Sequence, residues 1–202
     1  MKKRLIILVT ILISFYNQAI ADEGMWLVNI LDKQLYELMK SKGLQLKPGE
    51  IYNPDGVALS DAIVAIDGGS CSGSIISASG LMITNHHCAY GDIHALSTPG
   101  KNYLEDGFWA MKIEEEIPIK GKTVTFLRGV SDVTEMVVKI IDSLDAAGPR
   151  GLFFMNKVSS VIEKKFESNP YEKSLSSMWR GSKYYLYFYE TYSDVRLAGT
   201  PP

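Results

Sequence analysis

The chain has 202 residues, room for one domain or one and a fraction, and its 46% hydrophobic and 22% charged residues suit a protein that buries a core. It holds no long like-charge run and no low-complexity tract that would argue for disorder. A formal net charge of −2 disfavours nucleic acid or an anionic membrane as a partner.

Lys2, Lys3 and Arg4 form a basic start, Leu5 to Tyr16 an apolar run, and Ala19-Ile-Ala21 the small residues that a signal peptidase reads. Residues 1–21 are therefore expected to be a signal peptide cleaved before Asp22, and the protein to be exported to the periplasm or cell surface. The apolar run is shorter than the about 20 residues a bilayer span needs, so no span is expected after cleavage. Cleavage lowers Lys+Arg from 21 to 18 against 23 Asp+Glu, a mature charge near −5.

Leu27, Leu31, Leu35, Leu38 and Met39 recur at helical spacing, with Asp32, Lys33, Glu37 and Lys40 on the other face, and Gly43 stands where a C′ glycine would end the helix. Lys47-Pro-Gly-Glu50 and Asn53-Pro-Asp-Gly56 read as turns. Strands are expected over 62–66, 72–77 and 81–84, with Ala78-Ser-Gly80 as a tight turn, giving an antiparallel meander that opens a β-barrel or sandwich. The aromatic stretch 102–110 should cover a core edge, and Glu114-Glu-Glu116 reads as a solvated turn.

A strand over 123–127 precedes Asp132-Val-Thr-Glu135, which has the form of a capping box. The helix it opens carries Val133, Met136, Val137, Ile140, Ile141 and Leu144 on one face, and Gly148-Pro149 ends it. A second helix is expected from about 152 to 167. Aromatic-rich strands follow over 174–179 and 183–189; alternating tyrosines there suit core and rim better than a ligand platform.

The chemistry concentrates in one stretch. Two of the three histidines and both cysteines lie between Cys71 and Cys88. Export makes a Cys71–Cys88 disulfide the expected state, worth about 3 kcal/mol by loop entropy. A histidine beside such a bridge can serve as a general base for a serine hydroxyl, provided that a carboxylate orients it and donors hold the oxyanion. Zinc is disfavoured: adjacent histidines on a strand point to opposite faces, His94 is distant, and no HExxH pattern occurs. On residues alone a purely structural histidine pair also fits.

Thr84-Asn-His-His-Cys-Ala89, preceded by Cys71 and Gly73-Ser-Ile-Ile-Ser77, resembles the histidine segment of chymotrypsin-fold serine peptidases. More narrowly the chain is similar to the exported bacterial dipeptidyl peptidases of the 7/11 type. That likeness rests on Asp22-Glu-Gly-Met-Trp26, Gly68-Gly-Ser-Cys-Ser-Gly73, Thr84-Asn-His-His-Cys-Ala-Tyr90, Asp106-Gly-Phe-Trp109 and Tyr192-Ser-Asp-Val-Arg-Leu197.

The resemblance implies a mixed β and α fold, part of a chymotrypsin-like double β-barrel with an inserted helical domain. Residues 22–130 would form an N-terminal helix and the first part of the barrel, 131–170 the start of the helical insertion, and 171–202 the return to the barrel. It further implies release of N-terminal dipeptides from oligopeptides with a free N-terminus by a Ser-His-Asp triad, no cofactor or metal, and a homodimer in the full-length form. His87 would be the base, and His86 structural.

The family's aspartate and serine segments do not occur before Pro202, and Ser70, Ser72 and Ser74 lack a Gly-x-Ser-x-Gly elbow. The expectation is therefore an N-terminal portion of a peptidase, inactive alone. The alternative is an exported non-catalytic binding module built on the same half-barrel.

Overall fold

A computed structural model describes residues 28, 31 and 33–202. The signal segment, Asp22–Trp26, Leu27 and Asp32 lie outside the described residues. The amphipathic pattern yields helix α1 (Lys33–Ser41), with Leu35 and Met39 partly buried. Gly43 ends it as expected. With φ of 103° it turns the chain so that its N–H reaches the Lys40 carbonyl at 2.9 Å and the Leu44 N–H reaches Met39 at 3.0 Å, the paired bonds of a Schellman cap. A single helical turn, α2 (Pro48–Ile51), follows, its first free N–H (Lys47) bonded to the Glu50 carboxylate at 2.7 Å.

Six antiparallel strands form the main sheet: β1 (Ile63–Ile66), β2 (Cys71–Ile75), β3 (Met82–Thr84), β6 (Val124–Asp132), β7 (Glu172–Met178) and β8 (Lys183–Tyr192), in the order β3-β2-β1-β6-β8-β7. The expected meander is present, with Ile63 opposite Ser74 and Ser74 opposite Ile83. Two short pairs flank the sheet: β4 (Phe108–Trp109) with β10 (Gly199–Thr200), and β5 (Ile117–Pro118) with β9 (Arg196–Leu197). Gly107 permits the first of these. Its φ is 71°, and a Cβ there would lie 3.0 Å from the Thr200 carbonyl and from the Pro202 nitrogen.

β6 and β8 run longer than their sequence pattern suggests. Their register shifts between Leu127 and Gly129, and this bulge lets the pairing continue from Val124–Tyr192 to Asp132–Tyr185. The far half of this ribbon carries helices α4 (Thr134–Ala147) and α5 (Phe154–Lys165). Val133, Val137, Val158, Ile162, Leu186 and Phe188 form the buried core there, and Met136, Ile140, Ile141 and Leu144 pack against it. The apolar face read from the sequence is thus the face that is buried. Each fully buried aliphatic side chain is worth roughly 1.5–3 kcal/mol.

The capping box is corrected in detail. Val133 occupies the N-cap, and the Asp132 carboxylate accepts the Thr134 N–H at 2.9 Å, two residues on, instead of the Glu135 N–H. On the opposite face of β8, Tyr185, Tyr187 and Tyr189 line up, with ring centroids 6.5 and 6.0 Å apart and the last pair stacked at 8°. Tyr185 is buried and the other two are half-buried, in keeping with core and rim.

Candidate active site

The sequence pattern puts both histidines at a strand end. The structure instead ends β3 at Thr84, and Asn85 becomes the N-cap of α3 (His86–Leu96), where the Cys88 N–H closes back on the Asn85 carbonyl at 3.0 Å. The neighbouring imidazoles therefore diverge by a helical step of about 100° and not by the about 180° of a strand. His86 meets the Tyr90 ring edge-on at 5.6 Å. With Tyr90 and His94 it faces an open cleft of about 600 Å³ that Ser97, Asn102 and Glu105 also line. His87 does not line that cleft; it is exposed and turned to the cysteines.

Cys71 opens β2 and Cys88 lies in the first turn of α3, and the two form a disulfide with Cα atoms 6.0 Å apart. Thr84 Oγ1 donates to the Ser72 carbonyl at 2.7 Å, so strand and helix are tied beside the bridge. A ring nitrogen of His87 lies within 4.8 Å of both sulfurs. Both sulfurs are taken up in the disulfide, so these three residues present an ion with one nitrogen and no thiolate. No serine hydroxyl or carboxylate hydrogen-bonds the His87 ring among the described residues. Ser70 Oγ donates to the Ile66 carbonyl at 3.2 Å, so it is already engaged in the turn.

Behind the bridge lies a charged group that sequence reasoning missed. Lys122, only 8% exposed, donates to Asp67 Oδ2 at 2.7 Å, lies 2.6 Å from Asp92 Oδ2, and reaches the Cys88 carbonyl at 3.4 Å. Asp67 heads the turn Asp67-Gly-Gly69, whose three residues all have positive φ, and its other oxygen accepts the Thr123 N–H at 3.0 Å. Burial pushes the Lys122 ammonium toward neutrality, but the hydrogen bonds to Asp67 and Asp92 outweigh it, so its pKa is raised. Asp67 is likewise opposed by burial, yet Lys122 and the Thr123 N–H hold its carboxyl below the usual range. The one sequence signal was the second lysine of Lys120-Gly-Lys122, directly before an apolar strand, which reads as surface.

Residues 21–202 match the family described as Peptidase S46. The chain belongs to the peptidase S46 family. Among S46 relatives, an Asp/Glu-specific dipeptidyl-peptidase of Porphyromonas gingivalis is 38% identical over 208 residues, covering 100% of this chain and 29% of its own length. Dipeptidyl-peptidase 7 of Capnocytophaga gingivalis is 39% identical over 182 residues, covering 90% of this chain and 25% of that protein. Porphyromonas endodontalis DPP11 superposes with a TM-score of 0.80 at 35% identity, over 90% of this chain and 26% of the other. Its complex with substrate gives a TM-score of 0.79 at 38% identity, over 90% of this chain and 27% of that one. The chain thus spans less than a third of the length of these S46 relatives.

Proposed function

We propose that this S46 chain supplies the catalytic base of a serine-type dipeptidyl peptidase that releases N-terminal dipeptides from oligopeptides. One observation carries the reading: His87 directly precedes a cysteine bridged to the neighbouring strand, in an S46 chain that a dipeptidyl-peptidase matches along its whole length. The bridge and the Thr84–Ser72 bond fix the backbone on either side of the imidazole, which a base needs if it is to meet a hydroxyl at about 3 Å. The serine, the orienting carboxylate and the oxyanion donors would come from polypeptide beyond this segment.

The six-stranded antiparallel sheet supports a barrel-like half, and α4 with α5 supports a helical insertion over 131–170. The basic start and apolar run support export to the periplasm or cell surface. Relatives named for Asp/Glu specificity and a dipeptidyl-peptidase 7 match about equally well, so preference for the second residue would be set outside this segment. The test is a His87→Ala variant of the full-length protein, assayed on dipeptidyl fluorogenic amides with acidic and non-acidic second residues. Activity should fall by about a thousandfold or more with the fold intact. Retained activity, or a loss that follows His86→Ala instead, overturns the assignment.

A further inference from the structure

We propose that Lys122 is a positioning residue for the histidine helix, an ionic clamp set in parallel with the disulfide. The inference rests on the reading of His87 as base. Asp67 stands four residues before Cys71 and Asp92 four after Cys88, so the two carboxylates bracket the same strand and helix that the sulfurs join. One ammonium meets both at 2.7 and 2.6 Å and also touches the carbonyl of Cys88, the residue next to His87. Lys122 lies two residues before the central strand β6, so the clamp ties the first turns of α3 to the entry of that strand, whereas the disulfide ties them to β2.

The lysine is buried while the Asp67 and Asp92 side chains are 37% and 27% exposed, so solvent and salt screen these contacts in part. Removing it cuts the tie between the Asp67 turn and α3, and the two carboxylates left without a counter-charge add their repulsion to that loss. The imidazole then loses its place although nothing that touches it has changed. A fold-only role would be restored by neutralising the carboxylates; a positioning role would not.

The experiment compares full-length wild type, Lys122→Met, the triple variant Lys122→Met/Asp67→Asn/Asp92→Asn, and His87→Ala. Lys122→Met should lower kcat at least tenfold with KM within twofold. The triple variant, which keeps no unpaired charge at the clamp, should regain thermal stability but not kcat; it carries the test if the single variant does not fold. A kcat within twofold of wild type in either variant overturns the proposal. If His87→Ala stays active, the base assignment fails by itself, and amide exchange decides the clamp. Exchange across residues 86–92 should quicken at least tenfold in the lysine variants while α4 and α5 stay unchanged. Unchanged exchange in α3 refutes the clamp.

Discussion

Cys88 is bridged to Cys71 through its side chain and touched by the Lys122 ammonium through its carbonyl, so the residue after His87 is held at two atoms. The covalent tie closes a loop with a sequence separation of 17, worth about 3 kcal/mol in the loop-entropy picture. Cys71→Ser/Cys88→Ser should therefore lower the unfolding free energy read from urea melts by that order, and added reductant should lower the midpoint of the wild type but not of the variant. Equal midpoints would mean that the reduced chain keeps the turn by other means. A second residue effect concerns Asp132. The Thr134 hydroxyl and N–H and the Lys183 ammonium hold its carboxyl down to about 2. Because its folded value lies below the unfolded one, near 4, its contribution is complete above about pH 4 and disappears as pH falls toward 2. The carboxylate is 44% exposed, so screening limits the effect to about 0.5–1 kcal/mol. Asp132→Asn keeps the oxygen that accepts the Thr134 N–H and loses only the charge. The stability gap between wild type and this variant should be present at pH 6 and close between pH 4 and pH 2; a gap constant with pH would contradict the assignment.

At the scale of elements, α4 packs on β8 and α5 on β7 through one shared apolar stripe, and their cost of truncation should follow that stripe. Ile162 is fully buried and its neighbour Val161 is 37% exposed. Ile162→Ala should destabilise by about 3 kcal/mol, and Val161→Ala by less than about 1, both read from denaturant melts. The same stripe explains why these helices were legible in the sequence: their apolar residues repeat with the helical period, and Gly148-Pro149 marks the break. α3 was not legible, because His86, His87, Tyr90, Gly91 and His94 give no apolar face and Ile93 is its single buried residue. What fixes its start are the bridge to Cys71 and the lysine behind, both long-range. β6 was under-read for a related reason: Arg128-Gly129 interrupts the alternation, and only the bulge against Phe188 and Tyr189 shows that the strand goes on. The histidine and the cysteines were found because rare residues clustered. Lys122, Asp67 and Asp92 were not, because no local pattern joins residues 55 apart in the chain.

In the molecule as a whole, the sheet does not close among the described residues. β3 lies at its edge, and Ile63, Ile76, Leu81 and Ile83 share one face there by register, each 45% exposed or more. The Ile76 N–H bonds the Leu81 carbonyl at 2.8 Å, so the pairing holds to the end of the turn and the patch is a continuous surface, not scattered side chains. Four large aliphatic residues beside an unpaired strand edge form a surface that proteins ordinarily cover. S46 relatives are more than three times longer than this segment, so further polypeptide of the same peptidase is the occupant that fits. The 202-residue chain expressed alone should then self-associate with rising concentration, seen as a growing weight-average mass in sedimentation or light scattering. Ile76→Lys/Ile83→Lys, which places two cations on that face, should return it to a monomer. In the full-length protein the same pair should act in the opposite direction, burying two charges against the covering chain and lowering stability by several kcal/mol. A wild-type segment that stays monomeric at high concentration, or a full-length protein indifferent to both lysines, would show that this face meets water and that the sheet ends where β3 does.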